Sequence, residues 1–139
     1  MKSNDLDSNI TFLKGIVICK DSGEYVFDLM IDSDLNPLLL SSYTGALSLF
    51  GHDNVGKIDE IIIKSNNIEM DIISNNKLVL IAILDKKFAA KHNFKQQAES
   101  LLKTFYDTYK EEINSVEIGK FDPFKKIVRN KIKKFLETL

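Results

Sequence analysis

Apolar residues follow three rhythms along this chain. Between Lys77 and Leu84 the run Leu-Val-Leu-Ile-Ala-Ile-Leu is apolar on both faces. A strand built from it must be covered on both sides, which places it in the middle of a sheet with helices above and below. It is too short to cross a bilayer, which takes about 20 apolar residues. Two further strand-like runs precede it, Lys57 to Lys64 and Ile68 to Ser74, separated by Ser65-Asn66-Asn67 and Asn75-Asn76. Short Asn-containing connections between β-branched runs predict tight hairpins, hence a three-stranded antiparallel meander. In its middle strand Ile68, Met70 and Ile72 alternate with Glu69 and Asp71, so one face is expected to be at least partly wet. Nearer the start, Thr11 to Cys19 and Glu24 to Ile31 flank Lys20-Asp21-Ser22-Gly23, which is turn chemistry, and predict a β-hairpin.

The other rhythm is helical. Asp32-Ser33-Asp34-Leu35-Asn36-Pro37 offers several capping oxygens and then a proline suited to a first helical turn. A helix is expected from Pro37 to about Phe50, with Leu39, Leu40, Tyr43, Ala46, Leu47 and Phe50 on one stripe and Ser41, Ser42, Thr44 and Ser48 on an uncharged side. That side suits either close packing on a sheet or an occluded interface. Gly51 to Gly56 reads as a loop. After the central strand, a long helix is expected from about Ala89 to Ile113, striped by Phe94, Ala98, Leu101, Leu102, Phe105, Tyr109 and Ile113. A last helix begins at Pro123 with Asp122 as its candidate cap. Its stripe is Phe124, Ile127, Val128, Ile132, Phe135, Leu136 and Leu139, opposite Lys125, Lys126, Arg129, Lys131, Lys133 and Lys134. The expected class is α+β: a five-stranded antiparallel sheet in the order β-β-α-β-β-β-α-α, with one helix on one face and two C-terminal helices on the other. Residues 1–9 are polar and expected to be flexible, and residues 10–139 form a single domain.

Composition narrows function mainly by exclusion. With 139 residues, 44% of them hydrophobic, the chain can bury a real core, and a formal net charge of −1 provides no molecule-wide field for a nucleic acid or an acidic lipid. Cys19 is the single cysteine, which excludes an internal disulfide and a Cys-based zinc cluster; its apolar setting predicts a packed thiol. The polar start lacks the apolar core of a secretion signal, so a cytoplasmic location is expected. No Gly-rich loop followed by Lys-Ser/Thr and no dinucleotide fingerprint is present. His52 and His92 lie outside any metal-ligand spacing, Ser41 and Ser42 lack a nucleophile elbow, and Asp28, Asp32 and Asp34 lack the terminal Glu of a calcium loop. No catalytic residue, cofactor or metal is therefore expected. On the last helix, Lys125, Lys126, Arg129 and Lys133 read first as a solvated cationic face, with an acidic partner or peripheral contact with a membrane surface as the alternatives. Nucleic acid is disfavoured, because no aromatic residues interleave with those lysines.

The hairpin Gly15-Ile16-Val17-Ile18-Cys19 and Asp21-Ser22-Gly23-Glu24-Tyr25-Val26-Phe27, followed directly by the Asp34 to Phe50 helix and then by the meander, resembles the longin-like domains, relatives of roadblock domains and of the profilin-like fold. Roadblock domains usually begin with a helix, for which Met1 to Asn9 is short and polar, so the longin arrangement is the better match. The resemblance implies a non-enzymatic interaction module. Such domains pair side by side through an edge strand and the first helix, as homodimers or with another longin or roadblock domain, and the pair binds small Ras-like GTPases or trafficking subunits; microbial members, archaeal ones included, share this pattern. On this chain the expected interface is Tyr43, Thr44, Leu47 and Ser48 of the first helix with Ile58, Glu60, Ile62 and Lys64 of the edge strand. A small-ligand sensor of PAS-like or GAF-like type is the alternative, and it needs a cavity between sheet and helices lined by a few polar groups. A membrane-surface adaptor would rest on the basic C-terminal helix alone.

Overall fold

The computed structural model describes residues 12–31, 34–54, 56, 60–114 and 119–139, with the backbone alone for residues 39, 43 and 48–54. Strands β1 (Leu13–Lys20) and β2 (Tyr25–Met30) lead to helix α1 (Pro37–Asn54), then to β3 (Glu60–Lys64), β4 (Ile68–Asn75) and β5 (Leu78–Asp85), and finally to α2 (Lys86–Lys91), α3 (Lys95–Tyr109) and α4 (Phe124–Glu137). The five strands form one antiparallel sheet in the order β2-β1-β5-β4-β3. The doubly apolar run is its middle strand, and every residue from Leu78 to Leu84 is at most 1% exposed. An interior strand has no polar face because neither side meets water. The β4–β5 turn falls at Asn76 and Lys77, both with positive φ, one residue later than expected. Two successive left-handed residues are what a two-residue hairpin turn requires.

Side-chain parity sorts the sheet into two faces. Val17, Cys19, Val79, Ile81, Ile83 and Ile72 gather under α1, joined by Leu35 and Leu40. Ile16, Ile18, Phe27, Leu29, Leu80, Ala82 and Ile73 pack on the other face against Ala98, Leu101, Leu102 and Phe105 of α3 and Phe124, Val128, Ile132 and Phe135 of α4. Ring contacts knit this second layer: Phe105 lies 5.0 Å from Phe124 and Phe94 lies 5.7 Å from Phe135.

Three local features differ from the sequence reading. The single helix expected over Ala89 to Ile113 is two. Asp85 Oδ2 accepts from the backbone N of Lys87 and Phe88 at 3.1 and 3.2 Å and starts α2 three residues earlier than expected. His92 then turns extended, and Asn93, just before the N-cap Phe94 of α3, accepts at Oδ1 from Lys95 N at 2.9 Å. A side chain that caps a new helix competes with continuation of the old one. Asp122, the expected cap of α4, is not one: Pro123 occupies that position with no side-chain hydrogen bond. At the first helix the cap is Asn36, whose Oδ1 accepts from Leu38 N at 2.9 Å, and the helical backbone runs on through residues 51–54, where a loop was expected.

Candidate interaction edge

Among the described residues β3 is an edge strand, paired through Glu60–Ile73, Ile61–Ile72, Ile62–Asp71, Ile63–Met70 and Lys64–Glu69 with β4 on one side only. In an antiparallel ladder alternate residues direct N–H and C=O away from their neighbour, so this edge carries backbone groups open to a further strand. Its side chains divide between the two faces. Ile61 and Ile63 are half-buried on the α1 face, in line with half-buried Ile68 and Met70. Glu60, Ile62 and Lys64 point to the α3 face. There Ile62 is 50% exposed and the Glu60 carboxylate lies 3.2 Å from the Lys95 ammonium of α3.

The residues expected at the interface are therefore distributed as follows. Thr44 is fully buried on α1, with its Oγ1 lacking a hydrogen-bond partner, and Leu47 is half-buried. The Tyr43 and Ser48 side chains and residue Ile58 lie outside the described residues. α1 packs on β1 and β2, at the other end of the sheet from β3. Glu60, Ile62 and Lys64 and the helix residues thus occupy opposite faces, and the structure does not bring them together. The β3 residues on the α1 face are Ile61 and Ile63. The signal for them was parity, since alternate residues of a strand share a face.

What holds α1 so close to the hairpin is small-residue packing. Ser41 is fully buried, and its hydroxyl donates to the Pro37 carbonyl at 2.8 Å. Gly45 sits directly over Gly23 of the β1–β2 turn. Of the two readings open for the uncharged side of this helix, Ser41, Thr44 and Gly45 fit the packing one. Beneath them Cys19 is buried as expected; burial pushes its thiol up to about 11, opposed by a hydrogen bond with Ser41 and aided by Asp21.

Next to the edge, the polar side of β4 is only partly wet: Glu69 is half-buried and Asp71 is 5% exposed. Its Oδ1 has no hydrogen-bond partner. Burial first, then a hydrogen bond with Glu69 and the charges of Glu69 and Glu60, push the Asp71 carboxyl up to about 7, against an opposing pull from Lys64.

The basic side of α4 is solvated only in part. Lys126 and Lys133 are exposed, and Lys125 and Arg129 half-buried, while Phe124, Val128, Ile132 and Phe135 are buried. Two open clefts flank α3. One of about 260 Å³ lies against α4 beside Gln97, Ser100 and Lys131; the other, of about 500 Å³, lies beside Glu60, Asn75, Lys95, Glu99 and Lys103. Both are on the outside of the domain. Between the sheet and helices α3 and α4, the rings of Phe27, Phe94, Phe105 and Phe124 are buried in one apolar cluster. No described helix is long and apolar enough to cross a membrane.

No protein-family model matches the sequence, and no curated protein matches it either. Solved structures do. The fold is similar to that of a Roadblock/LC7 domain from Streptomyces avermitilis, with 11% sequence identity, a TM-score of 0.60, and 76% of this chain and 92% of that one covered. It is likewise similar to Myxococcus xanthus MglB, at 11% identity and a TM-score of 0.50, with 97% of this chain and 91% of that one covered. The feature separating the longin from the roadblock arrangement, the start of the chain, lies in residues 1–11, outside the described residues. By its likeness to these structures over most of its length, the chain has the roadblock/longin-like fold.

Proposed function

We propose that this chain is a non-enzymatic interaction module that pairs with a second copy of itself through the β3 edge, the pair serving as a platform for a small Ras-like GTPase. The observation that carries the reading is the edge Glu60-Ile61-Ile62-Ile63-Lys64, open on one side and self-complementary. Antiparallel pairing of this strand with its own copy, centred on Ile62, sets Glu60 of each copy against Lys64 of the other and Ile61 against Ile63. Ile62 then meets its own counterpart. Opposite charges and β-branched side chains directly across a ladder each contribute about 0.2–1 kcal/mol. A five-residue edge is small for a stable interface, which takes about 800 Å² per partner. The half-buried row Ile61, Ile63, Ile68 and Met70 on the α1 face supplies apolar surface next to it. The GTPase half of the reading rests on the family resemblance, and the likeness of fold supports it.

Charge reversal tests the pairing and its register together. Sedimentation velocity should show weaker self-association for Glu60→Lys and for Lys64→Glu, each of which sets like charges across the seam. The double variant should recover, because the exchanged charges meet again. Monomers at high micromolar concentration for the wild type would refute self-pairing. Failure of the double variant to recover would refute the Ile62-centred register.

A further inference from the structure

Asp71 occupies the middle of β4, between Ile62 of the edge strand and Ala82 of β5. Ala82 is fully buried and Ile62 half-exposed, so the carboxyl has a sealed side and an edge side. Its Oδ1 is closed to solvent and has no donor. An ionised carboxylate with an orphaned oxygen in such a place is unfavourable unless something compensates it. At an atom so enclosed, the compensating species that fits without rearrangement is a proton.

The surrounding charges favour that proton. On β4 itself Glu69, two residues away on the same face, adds a negative charge that opposes ionisation of Asp71. β3 adds Glu60 and the single opposing cation, Lys64. β5 presents Leu80, Ala82 and Leu84 on this face and no charge. From α3, Lys95 is engaged with Glu60. On α2, Lys86, Lys87 and Lys91 are exposed, and the His92 ring that follows lies tilted against Phe88 at 4.7 Å.

We propose that Asp71 couples proton uptake to pairing of the β3 edge, so that the pair tightens as pH falls across neutrality; the proposal rests on the edge-pairing reading above. In the pair, Ile62 of the second copy lies beside Ile62 and closes the edge side of the carboxyl. Removing the residual solvent exposure of Asp71 penalises the ionised form again and leaves the protonated form nearly unaffected. Pairing thereby binds protons, and by linkage protons favour pairing. Every unit by which pairing raises the Asp71 carboxyl is worth up to about tenfold in affinity per protomer, and each pair holds two.

The test is sedimentation velocity of the wild type and of Asp71→Asn at pH 6, 7 and 8 and constant ionic strength. The wild type should dissociate about tenfold less readily at pH 6 than at pH 8, while the variant, neutral throughout, holds one dissociation constant. Carboxyl-carbon NMR titration of wild-type Asp71 at low and high protein concentration gives an independent reading, its midpoint rising on pairing. Wild-type pairing that ignores pH, or a midpoint unmoved by concentration while pairs form, overturns the proton coupling and leaves self-pairing intact. Absence of pairs at every pH overturns self-pairing itself, and the coupling with it.

Discussion

Replacing Gly45 by alanine separates a local from a tertiary account of α1. Alanine in place of glycine inside a helix is ordinarily stabilising, by about 0.5–1 kcal/mol, because it removes backbone freedom from the unfolded chain. Here a Cβ on residue 45 would lie 2.5 Å from Gly23 Cα, 2.7 Å from Gly23 N and 2.9 Å from the Ser22 carbonyl carbon. All three neighbours are backbone, so no side chain can swing aside. Comfortable carbon contacts begin near 3.5 Å, and the helix or the turn must therefore yield by about 1 Å. The turn resists, being held by Lys20 N to Glu24 O and by Gly23 N to Lys20 O, both at 2.8 Å, with Gly23 at a φ of +97°. Lifting α1 instead loosens Leu40 from the apolar cluster that includes Val17 and Cys19. Overpacking of this kind costs about 1–3 kcal/mol, which exceeds the helix gain. The expected net effect of Gly45→Ala is a loss of about 1–2 kcal/mol, seen as a melting temperature lower by about 3–8 °C in circular dichroism. Ala46 is exposed on the same helix and serves as the control: Ala46→Gly should cost about 1 kcal/mol from propensity alone. A Gly45→Ala protein that melts higher than wild type would show that α1 does not press on the hairpin turn, and the account of its packing would be wrong.

Two further expectations follow from the same structure. Phe124 is fully buried and makes ring contacts with Phe27, Phe105 and Tyr109, so Phe124→Ala should lower stability by about 3–5 kcal/mol in urea unfolding; unchanged stability would mean that α4 is a detachable helix rather than a wall of the core. Arg129 lies half-buried on the cationic side of α4, across the domain from α1. Single-turnover hydrolysis by a GTPase bound to the pair should be the same with wild-type protein and with Arg129→Ala, and a large acceleration lost in the variant would instead make Arg129 an arginine finger.

Much of this architecture is written in the periodicity of the sequence. A run apolar on both faces has to be an interior strand, and Leu78 to Leu84 is one. The striped segments around Phe105 and Val128 have to turn one side to a core, and both do. Such patterns reveal which side chains share a face, because that depends only on the local repeat. The break at His92-Asn93 was locally legible too, since Asn93 is a good capping residue, but the apolar stripe running past it masked the signal.

Tertiary structure alone decided which surfaces meet and how deeply. Sheet order places β3 and the α1-covered hairpin at opposite ends, a choice fixed by strand pairing rather than by any residue in either element. The contact of Gly45 with Gly23 depends on where α1 comes down on the hairpin, which the helical repeat does not specify. Asp71 is the clearest instance. In sequence it alternates like a residue facing water, yet α+β packing lays helices over that face, and burial then pushes its carboxyl well above the usual carboxylate range. Local repeats determine direction; the dielectric around a side chain is set by every element packed over it, and that emerges only in the folded whole.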